Sequence, residues 1–200
     1  MPILLSKKIN EHSAYAIWHI TETEEQLLQL ISETPPNGVP DKRSEWIVTR
    51  ILVQYLCQSF KLTYEGVSRL PSGKPTLNNS KAEISISHSF PLAGALINLN
   101  ESCGIDIEWP REKLIKVQSK YLNERENEYA GNEELLCKVW ACKEVLFKVH
   151  GRKNLSLKNE IDIQLTGDNK AVGKITKPDF QQDYKIGLEP IFNYWIAYNE

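Results

Sequence analysis

The sequence predicts an α+β fold made of two similar subdomains, on three observations. Each half carries one long helical pattern followed by short strand patterns, and these elements do not alternate as regular βαβ units. With 41% of 200 residues hydrophobic, the chain has enough apolar surface for a core in both halves. No repeat is visible in the residues themselves, so the likeness of the halves is one of plan.

The elements follow in order. Ser13 to Ile20 alternates loosely and predicts a strand, and Thr21-x-x-Glu24 forms a capping box for a following helix. Glu33 to Pro40 is dense in turn residues. Asp41 can cap a second helix reaching about Phe60, with Ile47, Ile51 and Tyr55 at four-residue spacing. A turn at Pro71–Pro75 precedes strand patterns at Glu83–Ser87, Leu92–Leu99 and Cys103–Glu108. Leu114, Val117 and Tyr121 mark a helix face. The clearest helix runs from Glu133 to Val149 and stops at Gly151, a C′ glycine. Strand patterns return at Ile161–Leu165, Ala171–Thr176 and Ile186–Tyr198.

Charge narrows the function. A formal net charge of −2 provides no global basic field for nucleic acid or an anionic membrane, so any affinity for phosphate must be local. The four cysteines form no C-x-x-C pair and no zinc spacing, and read as buried thiols of a reducing, cytosolic compartment. No stretch reads as a signal peptide or a membrane span. Templates for P-loops, dinucleotide folds, nucleophile elbows and zinc proteases are all missing.

Four clusters of residues could carry chemistry. On a strand, Asp106 and Glu108 share one face and repel each other unless a cation or water separates them. Such oxygen ligands suit Mg²⁺, and the plain alternative is a solvated acidic edge. In the helix after Asn132 the apolar stripe is Leu135, Val139, Cys142, Leu146 and Val149. Trp140, Glu144 and Lys148 form a second column, with Lys143 beside it. A tryptophan opposite the core stripe requires packing on a second side. The column reads either as a metal ligand or base with lysine phosphate contacts, or as an exposed ion pair. At the end of a strand, Ser87 and His88 can hydrogen-bond phosphate or serve a turn. Arg43 and Arg50 share a helix face about 10.5 Å apart along the axis, and Lys74 sits in a Gly-Lys-Pro turn.

In order along the chain, Gly73-Lys-Pro75, Ser85-Ile-Ser-His-Ser89, Gly104-Ile-Asp-Ile-Glu108 and Trp140-x-x-Lys-Glu-x-x-x-Lys148 resemble the Sfp-type 4′-phosphopantetheinyl transferases. The resemblance implies two subdomains, 1–102 and 103–200, related by a pseudo-two-fold axis with the active site in the cleft between them. It implies transfer of the phosphopantetheine arm of coenzyme A to a serine of an apo acyl or peptidyl carrier protein, with release of 3′,5′-ADP. Asp106, Glu108 and Glu144 would hold Mg²⁺, or Mn²⁺ in its place. Lys148 would contact phosphate and offset developing charge, assisted by Lys143, while Arg50, Lys74, Ser87 and His88 would bind the nucleotide portion. Glu144 or a metal-bound water would take the serine proton, and the protein would act as a cytoplasmic monomer. The rival readings are a metal-dependent nucleotide phosphohydrolase and a catalytically silent relative that binds coenzyme A or a carrier. Lys113, Lys116 and Lys120, at i, i+3 and i+7, would offer an acidic carrier a docking face.

The sequence departs from the family in three places. Val145 stands where alanine is frequent, a second glycine is missing after Gly151, and the first forty residues align with nothing.

Overall fold

The computed structural model describes residues 3–200. The chain divides into one compact unit ending at Cys103 and a second from Gly104 to Glu200. Each is a long helix laid on an antiparallel sheet, so the α+β class holds.

The first unit opens with a hairpin that the sequence reading did not anticipate, β1 (Ile3–Asn10) and β2 (Ser13–His19). Most of β1 is exposed, with Lys7 and Lys8 interrupting its apolar residues, so no clean alternation marks it. A short helix, α1 (Glu24–Leu28), follows. Its capping box is Thr23 with Gln26, not Thr21 with Glu24. Both pairs fit the spacing, but the Glu22 carboxylate accepts from Thr21 N and from Trp18 Nε1, which holds the chain extended before the cap. Helix α2 (Pro40–Ser59) starts one residue before the expected Asp41 cap, with Val39 at the cap position and Pro40 inside the first turn. Proline is preset for that place, and Asp41 instead adds negative charge to the helix N-terminus.

Strands β3 (Val67–Arg69) and β4 (Pro75–Leu77) form a small hairpin around the predicted turn, followed by β5 (Glu83–Ser89) and β6 (Leu92–Asn98). The sheet order is β1-β2-β6-β5-β4-β3. Helix α2 packs on β6, β2 and β5. Trp18, Ile47, Leu52, Ile84, Ile86 and Ile97 belong to the core between them. As the alternation on β5 requires, Ile84 and Ile86 enter this core while Ser85 and Ser87 take the other face.

The second unit begins with β7 (Ile105–Glu108) and α3 (Glu112–Val117). The predicted helix face through Tyr121 is shorter than expected, because α3 yields to a 3₁₀ segment at Gln118–Lys120. Helix α4 (Glu133–Val149) has the predicted extent. Asn132 caps it by accepting from Glu134 N and Leu135 N, and Gly151 follows with φ +84. Strands β8 (Ile161–Gly167), β9 (Lys170–Lys177), β10 (Phe180–Ile191) and β11 (Tyr194–Asn199) complete the sheet in the order β7-β11-β10-β9-β8. The segment read as one strand, Ile186–Tyr198, is thus the end of β10 and most of β11. It turns through Phe192 at φ +55, without the glycine that would have marked the hairpin.

Helix α4 packs on β7, β11, β8 and β9, and its stripe of Val139, Cys142, Leu146 and Val149 lies in the core. The second packing surface predicted for Trp140 is real, since its ring meets Tyr121 edge-on with centroids 5.0 Å apart. Among the described residues, no helix is long and apolar enough to cross a membrane.

Candidate functional site

The acidic cluster of the second unit depends on a close approach at Gly104. A Cβ there would lie 2.4 Å from the carbonyl oxygen of Val145, so only glycine lets the start of β7 run this near the α4 backbone. Gly104 N also donates to Asn199 Oδ1 at 2.7 Å, which ties the same point to β11. In the β7–β11 register, Asp106 stands opposite Ala197 and Glu108 opposite Trp195. Ala197 and Trp195 belong to the core beneath α4, so both carboxylates lie on the helix side of the sheet. The plain alternative of a solvated acidic edge is wrong: Asp106 is 7% exposed and Glu108 6%.

Helix α4 brings Glu144 and Lys148 to this face. Lys148 Nζ donates to Asp106 Oδ1 at 2.7 Å and to the Ile105 carbonyl at 2.6 Å. Glu108 accepts from Trp109 N at 3.0 Å and from Arg111 Nη2 at 2.9 Å. Burial pushes the Glu108 carboxyl above the usual carboxylate range, against the hydrogen bond from Trp109 and the charge of Arg111, and Asp106 adds to the rise. Glu144 is raised too, first by burial and then by Asp106, with Lys148 and Arg152 opposing. The three acids therefore feel one another, and Glu108 and Glu144 hold a proton more readily than an ordinary carboxylate.

As donors, these carboxylate oxygens fit a hard dication. Lys148 and Arg111 already occupy two of them. Among the described residues no three His, Cys, Asp or Glu side chains stand close enough together to hold a metal ion. Arg111 Nε is buried and has no hydrogen-bond partner among the described residues. Sequence reasoning missed Arg111 and Arg152. Neither lies in a motif; Arg111 bonds to Glu108 from three residues along the chain, and Arg152, past the end of α4, acts on Glu144 through its charge.

The structure takes Lys143 away from the phosphate role expected of it. Its side chain is fully buried, 2.8 Å from Glu126 Oε2 and 2.8 Å from the carbonyls of Leu157 and Ile161. Those three acceptors use all three ammonium protons. Glu126 also accepts from Asn123 N and Ile163 N, so the pair cross-links α4, the 3₁₀ turn at Glu124–Tyr129 and the start of β8.

In the first unit, Ser87 is buried and His88 is partly exposed at the end of β5. His88 Nδ1 lies 3.1 Å from Oε2 of Glu45, a nearly inaccessible carboxylate on α2 that also holds Lys42 Nζ at 2.7 Å and Phe90 N at 3.2 Å. Burial alone would raise the Glu45 carboxyl. The hydrogen bonds and charges of His88 and Lys42 outweigh it and hold Glu45 below the ordinary range. Lys74 is not brought beside His88. It pairs with Glu83 at 2.5 Å, at the opposite end of β5, about 17 Å away along the strand. Arg50 is 4% exposed, lies 3.8 Å over the Trp46 ring, and leaves its Nε without a partner among the described residues. Arg43 is committed to Glu24 and to the Pro36 carbonyl.

Helix α4 thus packs on the buried Asp-x-Glu strand β7 and bonds to it through Lys148 and Asp106. Residues 102–198, which contain all of these groups, match the family model of the 4′-phosphopantetheinyl transferase superfamily, so the second unit carries a domain of that superfamily. The superfamily is one of transferases. No curated protein matches the chain.

Proposed function

We propose that the protein is an Sfp-type transferase that moves 4′-phosphopantetheine from coenzyme A to a serine of an apo acyl or peptidyl carrier protein. The observation that carries this reading is the buried pair Asp106 and Glu108, with Lys148 bonded to Asp106 and Glu144 half-buried within electrostatic reach, all inside the matched family domain.

The carrier serine oxygen forms a bond to the β-phosphorus of coenzyme A as the bond to the 3′,5′-ADP leaving group breaks. Little covalent help is needed from the protein, and positioning with charge neutralisation dominates. Asp106, Glu108 and Glu144 would hold Mg²⁺, which when bound neutralises charge on the pyrophosphate. Lys148 donates to Asp106 and to the Ile105 carbonyl and has one further proton to offer a phosphate oxygen. Glu144, raised by burial, is a stronger base than an ordinary carboxylate and takes the serine proton. Ser87 and His88 bind the nucleotide phosphate, and Arg50 supports that region through its free Nε. Lys74, tied to Glu83, steadies the β4–β5 pairing.

Intact-mass spectrometry of an apo carrier incubated with the protein, coenzyme A and Mg²⁺ tests the proposal. The expected result is a carrier heavier by one phosphopantetheine arm, blocked by EDTA. Asp106→Ala and Glu144→Ala should each lose about a hundredfold or more in rate while staying folded. Near-normal rates in both variants would sink the metal assignment. Phosphopantetheine released to water instead of carried would favour the phosphohydrolase.

A further inference from the structure

Glu45 is the most heavily engaged carboxylate in the first unit, and none of its work is explained by packing alone. It is 1% exposed, yet it is ionised and accepts from three donors. Two are local or structural, namely Lys42 three residues earlier and the backbone of Phe90. The third is the imidazole of His88, a side chain that remains 39% exposed. A buried carboxylate that grips one nitrogen of an exposed imidazole fixes the ring plane and decides which nitrogen is left. Nδ1 is taken, so Nε2 is the atom that meets a ligand. Among the described residues it makes no hydrogen bond.

The charges facing this imidazole come from α2, as Glu45 and its partner Lys42, and from its own strand end, where Phe90 N completes the set. Phe90 N also ties the β5–β6 turn to the same carboxylate. One side chain therefore sets both the ring and the backbone that carries it.

We propose that Glu45 is a positioning residue that holds His88 by Nδ1 and presents Nε2–H as a donor to a phosphate group, that of the coenzyme A nucleotide if the transferase reading above holds. In that role the ring donates one bond through Nδ1 to Glu45 and one through Nε2 to phosphate. Ser87, adjacent on β5, shares the strand end. Glu45 itself touches no substrate and acts only through the ring it holds.

A double-mutant cycle on the full-length protein tests this. Glu45→Ala should raise KM for coenzyme A about tenfold while kcat changes less than about twofold, since a ground-state contact is lost. In a His88→Ala background the same substitution should change KM less than about twofold, because the two residues act as one unit. Equal effects in both backgrounds, or a fall in kcat with KM intact, would overturn the proposal. Glu45→Gln keeps the volume and one acceptor, and should fall between wild type and Glu45→Ala.

Calorimetric binding of 3′,5′-ADP repeats the cycle without any turnover. A transferase reading that fails for want of carrier modification leaves this second readout intact. In addition, NMR should show an exchange-protected His88 Nδ1–H in the wild type that disappears in Glu45→Ala. Its presence in both proteins would show that Glu45 does not hold the ring. Failure of the wild type to bind either coenzyme A or 3′,5′-ADP would overturn the phosphate assignment itself.

Discussion

The two units share a plan and differ in how they handle buried acid. In the first, Glu45 is surrounded by donors from Lys42, His88 and Phe90 and sits below the ordinary carboxylate range. In the second, Glu108 and Glu144 sit above it despite Arg111, Lys148 and Arg152. The same helix-on-sheet layout thus makes one satisfied carboxylate bonded to a histidine, and one crowded set whose charges raise one another. The difference comes from spacing. Glu45 is a single acid facing donors, whereas Asp106 and Glu108 alternate onto one side of β7 and meet Glu144 across the Gly104 contact.

The largest expected break in this comparison is at the other buried ion pair of the second unit. Lys143→Met would leave Glu126 charged and buried, and should cost about 3–5 kcal/mol in denaturant unfolding. Adding Glu126→Gln should recover part of that, since Gln still accepts from Asn123 N or Ile163 N. In the first unit, Lys42→Met removes a partner whose side chain is 62% exposed from a carboxylate that keeps two others. It should cost no more than about 1 kcal/mol. Comparable losses from Lys42→Met and Lys143→Met would show that burial of the cation does not set the cost.

Acid separates the units by sign. Glu45 has its folded value below the ordinary 4.5, so its stabilisation is present above 4.5 and is lost as pH falls through the lower folded value. Glu108 and Glu144 have folded values above 4.5, so their cost is present at neutral pH. That cost is relieved as pH falls through those values towards 4.5. Hydrogen exchange on α4 and β7, corrected for intrinsic rates, should therefore show protection rising as pH falls from 7 towards 5. Protection of α2 and β5 should stay level there and fall only below about 4.5. On the proposed metal role, saturating Mg²⁺ should remove the rise in the second unit, and an undiminished rise would count against that role. Parallel behaviour in both units would contradict the electrostatic contrast.

Local pattern explains which parts of this were legible beforehand. Helix α4 was readable in its approximate extent, because its stripe is periodic and Gly151 closes it. The face shared by Asp106 and Glu108 followed from strand alternation alone. Lys143 was misread because helical spacing places it beside the Trp140–Glu144–Lys148 column but cannot say which polar residues are buried. Its partner Glu126 lies on a separate 3₁₀ turn. Glu45 was invisible for a related reason: two of its three partners, His88 and Phe90, lie more than forty positions away, and nothing in Lys-Arg-Ser-Glu-Trp announces a buried acid. The β10–β11 turn was missed because Phe192 takes a left-handed conformation where glycine or asparagine is the usual sign.

The smallest effect is expected at the lysines read as a docking face for an acidic carrier. Positions i, i+3 and i+7 align only on a continuous helix, and α3 has six residues before the 3₁₀ segment that carries Lys120. At that junction the step per residue changes from about 100° to about 120°, so Lys120 leaves the row of Lys113 and Lys116. Lys116 is further committed to Glu112 at 2.9 Å, with both side chains mostly in solvent. An exposed pair of this kind contributes about 0.5 kcal/mol or less, and its local field is largely neutralised. Charge reversal at Lys113 and Lys116 together should therefore shift the apparent KM for an acidic carrier by less than about threefold at physiological salt. A shift above tenfold, with KM for coenzyme A unchanged, would restore the docking role and show that two lysines on a short helix suffice for it.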